Sequence, residues 1–224
     1  MASPIKFSFK TEWFAFCVII ISLMAGLFFY QNFPAQVPSH WNIKGEVDGY
    51  SGPFMAAFML PLMMIGLYIM FIFLPWLDPK KDQYASFAST YHKFKDLIIA
   101  FLAILFFMTG LNGLGYQINI GFYTPLMIGA LFIIIGFLLE RVKMNWFMGI
   151  RTPWTMSSDT VWEKTHKLSS RILAVAGIMI AATALVPVKF RLVLFILAVA
   201  LIVFSLPLYS YILYVREKKQ KTDK

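Results

Sequence analysis

Residues 192–214 read LVLFILAVALIVFSLPLYSYILY, and no charged side chain interrupts them. Wound as an α-helix, such a run spans roughly 34 Å, which exceeds the ~30 Å of a bilayer's hydrocarbon core. The run is continuous, not alternating, so it reads as a helix; a barrel strand would show an alternating pattern over about ten residues. Working outward from it, five more apolar blocks stand at Trp13–Tyr30, Phe54–Trp76, Leu97–Leu114, Ile118–Leu139 and Ile172–Val188. The chain is 59% hydrophobic and 14% charged, whereas soluble domains carry about 25% charged residues. The fold class that follows is an all-α integral membrane protein with six transmembrane helices. The fifth block is short, and Val186-Pro187-Val188-Lys189 leaves almost no outer loop after it. Pro187 ends the fifth helix, which favours a tight hairpin over one unbroken helix. Pro61, Pro125 and Pro207 fall within or near the ends of blocks, where membrane helices tolerate kinks.

The net charge is +9. All but three of the 20 Lys and Arg fall at the N-terminus, in the second and fourth connectors and in the tail; Lys44, Lys189 and Arg191 are the exceptions. That bias puts both termini in the cytoplasm and explains the basic charge by topology without direct nucleic-acid binding. The one cysteine, Cys17, sits in the first span, so no internal disulfide or Cys-based metal cluster is expected. The first span ends in Phe28-Phe29-Tyr30 with no small-residue cleavage site and reads as an uncleaved anchor. No Asp, Glu, Lys, Arg or His falls inside the six blocks, which argues against a proton-driven transporter.

The second connector, 77–96, opens with the turn Asp78-Pro79 and continues as an amphipathic helix into the third span. Tyr84, Phe87 and Tyr91 share one face of it. Lys80, Lys81, Lys93 and Lys95 are expected to meet anionic headgroups. The lysine-rich tail is expected to be disordered or to lie on the lipid surface.

The outer loop reads NFPAQVPSHWNIKGEVDGYSGP over residues 32–53. Gly45 and Gly49 suit tight turns with positive φ, and Trp41 and Tyr50 suit the membrane interface. His40, Glu46 and Asp48 have metal-ligand chemistry without a recognised spacing, so no metal is expected. A loop docked on the bundle and a recognition surface both fit this density of shape-setting residues.

The inner loop reads NWFMGIRTPWTMSSDTVWEKTHK over residues 145–167. Gly149 permits close approach, and Thr152-Pro153 makes a fixed turn. Ser157 or Ser158 serves as N-cap and Asp159 opens a helix that runs into the fifth span. On it Trp162, His166 and Ser169 share a face, and Glu163 and Lys167 are spaced for an i, i+4 ion pair. Structurally, Trp146, Trp154 and Trp162 would form an aromatic belt, while Arg151 and His166 would hold helix-end carbonyls or phosphates. A contact site for a partner or lipid headgroup is the functional alternative. Ser157, Asp159 and His166 supply the residue types of a hydrolase triad, but no nucleophile elbow accompanies them.

The two loops together resemble the SdpI family of bacterial membrane proteins. The outer loop is similar to a membrane domain of the DUF1648 type, through Pro38, His40, Trp41, Asn42, Gly45, Asp48, Gly49 and Tyr50. The inner loop is similar to the family signature through Asn145, Gly149, Ile150, Arg151, Thr152, Pro153, Trp154, Thr155, Ser157, Ser158, Val161, Trp162, Thr165 and His166. The resemblance implies a cell-membrane immunity protein that resists a secreted toxic peptide. It also implies a receptor that draws a cytoplasmic repressor to the membrane. It divides the chain into a two-helix unit with the outer loop (1–96), a four-helix unit with the signature loop (97–215) and a basic tail (216–224). No cofactor and no catalytic residue are expected. A membrane enzyme or a lipid- or peptide-handling protein acting at the inner loop is the alternative.

Overall fold

The computed structural model describes residues 4–222. Its elements run α1 (Phe9–Asn32), β1 (Val37–Trp41), β2 (Val47–Ser51), α2 (Pro53–Leu77), a 3₁₀ segment (Lys81–Phe87), α3 (Ala88–Gly113), α4 (Ile120–Leu139), α5 (Pro153–Ser157), α6 (Asp159–Ala182) and α7 (Val188–Thr222). Five helical segments are long and apolar enough to cross a membrane: α1, α2, the 3₁₀ segment with α3, α4 and α7. Their outward faces are apolar; Phe204 is 71% and Leu208 59% exposed, which suits lipid and not water. The sixth long helix, α6, does not meet that measure. Its first half carries Asp159, Glu163, Lys164, Lys167 and Arg171, and its apolar stretch runs only from Ile172 to Ala182. Composition therefore supports five of the six expected spans. The outer loop adds an antiparallel hairpin of β1 and β2 to what the sequence presents as an all-helical fold.

The helices pack in two groups. Ala15, Ile19, Ala57, Met64, Ile99 and Phe106 form a core among α1, α2 and α3. On the other side α4 lies against α6 at backbone distance. A Cβ on Gly129 would stand 2.4 Å from the Gly177 carbonyl oxygen, and one on Gly177 would stand 2.5 Å from that of Gly129. Small residues at a crossing let membrane helices gain dispersion contact where no hydrophobic force drives them together. A third core, with Tyr84, Tyr91, Val142, Met148 and Trp162, joins both groups at the inner end.

That inner end corrects several expectations. Tyr84, Phe87 and Tyr91 do share a face, but it is buried in this core and not laid on lipid. Lys95 does not reach headgroups: it is fully buried, and its ammonium group bonds the Glu12 carboxylate and the Thr11 carbonyl (3.2 Å). Tyr68 donates to the same carboxylate at 2.9 Å, and His92 Nδ1 stands 3.3 Å from its other oxygen, a contact without hydrogen-bond alignment. Lys80 turns inward to the Met144 sulfur. The helices extend past the apolar blocks, so Glu12 lies within α1, and His92, Lys95 and Asp96 lie within α3. Ionisable groups therefore stand in the first turns of these helices, outside the apolar blocks, and they meet there because an unpaired buried charge costs several kcal/mol. Cys17 lies on the exposed face of α1. The tail continues α7 as helix to Thr222, and Lys221 pairs with Glu217 on it.

Candidate functional site

The inner loop folds around its own polar atoms. Asn145 is fully buried: its Oδ1 accepts from the amides of Phe147 (2.9 Å) and Met148 (2.6 Å), and its amide group donates to the carbonyls of Lys143 and Met148. The chain then reaches Gly149 at φ 124°, where a Cβ would stand 2.5 Å from His166 Nε2 and 2.9 Å from the Trp162 ring. Only glycine satisfies both conditions. Next to it the amide of Ile150 donates to His166 Nε2 at 2.9 Å. The other ring nitrogen, Nδ1, stands 2.8 Å from the Trp162 carbonyl and must carry the proton, because a carbonyl only accepts. The imidazole stacks on the Trp162 indole, with centroids 4.1 Å apart, and that indole donates to the Val142 carbonyl. Burial holds the His166 pKa down, to about 4 from an ordinary 6.5.

The rest of the loop is a series of caps and ties. Thr152 caps α5 by accepting from the Thr155 amide, with Pro153 in the first turn. Thr152 also bonds Ser210 on α7, and Trp154 packs against Tyr211. Ser158 caps α6 and donates to Glu217 on α7 at 2.6 Å. Asp78, buried, accepts from Tyr84 and from the amide of Trp146, which joins the two inner connectors.

Three expectations for this loop change. Trp162 is core and not part of a belt, while Trp146 is half exposed. Glu163 pairs with Lys143 at 2.7 Å across the loop and not with Lys167. Arg151 does not pack onto the helix or hold a helix end; it reaches back to the Trp146 carbonyl. Ser157 donates to the Trp154 carbonyl, and both His166 nitrogens are engaged by backbone, so the triad residue types form no relay.

The outer loop is built differently. Asn42 closes its turn: Oδ1 accepts from the amides of Lys44 (2.9 Å) and Glu46 (3.1 Å), and Gly45 passes at φ 86°. Gly45 also lies flat on Gly121 at the start of α4, where a Cβ on Gly121 would stand 2.6 Å from the Gly45 Cα. Gly49 has no positive φ, contrary to expectation. It sits in β2 opposite His40, where a Cβ would meet that of His40 at 2.9 Å. His40 pairs with Asp48 across the hairpin while Glu46 receives Asn42, so these three side chains do not converge. The His40 and Tyr50 side chains stay open, at 71% and 59% exposure.

Beneath the hairpin lies a cavity of about 710 Å³. β1 forms its roof; α2 and α3 line one wall, and α4, α6 and α7 the other. Its surface is mainly apolar, with Met59, Leu60, Ile128 and Phe195 among the contributors. Arg191 stands at its edge and donates to the Ile43 carbonyl at 3.2 Å. The Thr124 and Ser51 hydroxyls, both buried, have no hydrogen-bond partner. The structure brings His40, Trp41 and Asn42 to this cavity and leaves Asp48 and Tyr50 on the hairpin's outer strand. Sequence reasoning did not anticipate Ser51, Thr124, Arg191 or Phe195 as neighbours of the motif. They come from three separate elements, β2, α4 and α7, and no local pattern joins them to the motif.

Apolar helices with lipid-facing surfaces define the class: this is a multi-pass bacterial membrane protein. Residues 141–210 match the SdpI/YfhL protein family, and residues 17–65 match a domain of unknown function, DUF1648. The chain thus carries an SdpI/YfhL-type region over residues 141–210, with a DUF1648-type region ahead of it. Over 196 residues it is 28% identical to "Immunity protein SdpI" of Bacillus subtilis (strain 168), covering 87% of this chain and 92% of that one. No solved structure matches it.

Proposed function

We propose that this protein is a membrane immunity protein that confers resistance to a secreted antimicrobial peptide, met at the outer hairpin. The observation that carries the reading is the cavity under β1, roofed by His40, Trp41 and Asn42 of the outer motif. The curated relative, named as an immunity protein over nearly the whole length, supports it. In this reading α6 is the sixth span, with its apolar stretch from Ile172 completing the crossing, and both termini are cytoplasmic. The distribution of Lys and Arg supports that orientation. The inner end, with Arg151, Lys164 and Lys167 on its exposed side, is then the surface that would receive a cytoplasmic transcriptional repressor.

The test is survival. A bacterium lacking its own immunity protein expresses this chain and is challenged with the sporulation-delaying peptide. Wild type is expected to survive, and variants of His40, Trp41 or Asp48 that still insert are expected to die. Full protection by all three would remove the hairpin from the mechanism. A tagged repressor that stays in the cytoplasm of challenged, protected cells would remove the signalling half.

A further inference from the structure

The cavity has an orientation that the immunity reading does not require. All five residues of β1 line it, but only Ser51 of β2 does. The sheet has two strands, so β1 is paired on one edge alone, and every residue of β1 borders the cavity. A strand edge carries backbone donors and acceptors with no partner and is a template for an added strand. Pro38 within β1 fits such an edge, since proline is confined there. Met55, Met59 and Phe195 stand at the cavity's flank at 54%, 47% and 44% exposure, on helices that cross the membrane. The opening therefore faces the outer leaflet as well as water. Among the described lining residues there is no Asp or Glu, and Arg191 is the fixed cation.

Resting on the immunity reading, we infer that the cavity captures an extended, apolar peptide segment that enters from the membrane side. The segment pairs with the free edge of β1 and sets a carboxylate against Arg191. Each feature selects this occupant. A lipid chain would fill the apolar volume but could not use the strand edge. A polar peptide would use the edge but would lose by entering an apolar cleft.

The experiment places a photo-crosslinking phenylalanine analogue at Phe195 and, as a control, at Phe137, which is 58% exposed. Full-length protein in vesicles is irradiated with the sporulation-delaying peptide, and the survival assay is run in parallel on wild type, Thr124→Trp, Ala56→Leu and Arg191→Gln. The expected result is a peptide adduct at position 195 and not at 137. Protection should fall at least tenfold in the two cleft-filling variants and in Arg191→Gln, with partial rescue by Arg191→Lys. Amide exchange over residues 37–41 should slow when peptide is present. If wild type protects while position 195 captures only lipid, or both cleft-filling variants protect normally, the cleft is overturned and the immunity reading stands. If wild type fails to protect, both fall together.

Discussion

The two ends of the molecule spend their polar residues in opposite ways. At the inner end Asn145, Thr155, Trp162 and His166 are buried, and each is bonded to the chain itself. At the outer end the hairpin keeps His40 and Tyr50 open and roofs a cavity. Two motifs that look equally dense in sequence therefore differ in kind. One is consumed in making structure, and the other is left free to meet something. A buried, extensively bonded network rigidifies its surroundings, even though the Thr165 hydroxyl within it has no partner, while open side chains beside a cavity are free to meet a ligand.

The sharpest way to break that contrast is at Glu12. Replacing it with Gln removes the nearer of the two carboxylates beside the buried Lys95 ammonium and leaves Asp96 at 3.5 Å, which should cost up to about 3 kcal/mol. A thermal melt in detergent should show the loss, and the double variant Glu12→Gln, Lys95→Met should recover most of it. If Glu12→Gln melts like wild type, the inner end is not held by its buried polar groups.

Gly149→Ala should come next, at about 2–3 kcal/mol, because the residue is strained by its φ and meets the His166 ring. The same change at Gly52, where a Cβ meets nothing, should be nearly silent in the same melt. The contrast between the two glycines tests the close approach itself.

Acid should separate the ends as well. His166 is held neutral in the folded protein, with its pKa down at about 4 against an ordinary 6.5. The unfolded chain binds the extra proton first, so this contribution is complete above pH 6.5 and is lost as pH falls toward 4. The slope is about 1.4 kcal/mol per pH unit across that window. Comparing melts at pH 7 and pH 5 checks it, and His166→Phe should flatten the slope. The smallest effect belongs to Tyr50→Ala, which should shift stability by no more than about 0.5 kcal/mol, since the side chain is largely open. A large shift there would mean that the hairpin, too, is consumed in structure.

Much of this was legible in the chain. Apolar blocks located the long helices, and the Ser157-Ser158-Asp159 run marked the start of α6, with Ser158 proving to be the cap. The pairing of Trp162 with His166 followed from helical spacing. What stayed hidden depends on distant partners. Lys95 reads as a headgroup lysine until Glu12, on another helix, is placed beside it. Gly49 reads as a turn residue until β2 pairs with β1 and shows that close packing on His40, and not φ, requires it. The cavity had no local signature, because it is a gap between two helix groups whose relative placement no short stretch encodes. The role of α6 was also hard to read, because its first thirteen residues carry five charges and only the stretch from Ile172 is apolar.

One helix is fastened at both ends. Near its start, Arg191 of α7 grips the outer hairpin at Ile43; from about two-thirds of the way along, Ser210, Tyr211 and Glu217 hold Thr152, Trp154 and Ser158 of the inner loop. The full helix is ~50 Å long by its residue count, with Pro207 close to the inner fastening. The two loops never meet, yet they share this single rod. Any load that shifts the hairpin is borne by the same strut that anchors the signature loop, so the two faces of the membrane are mechanically in series.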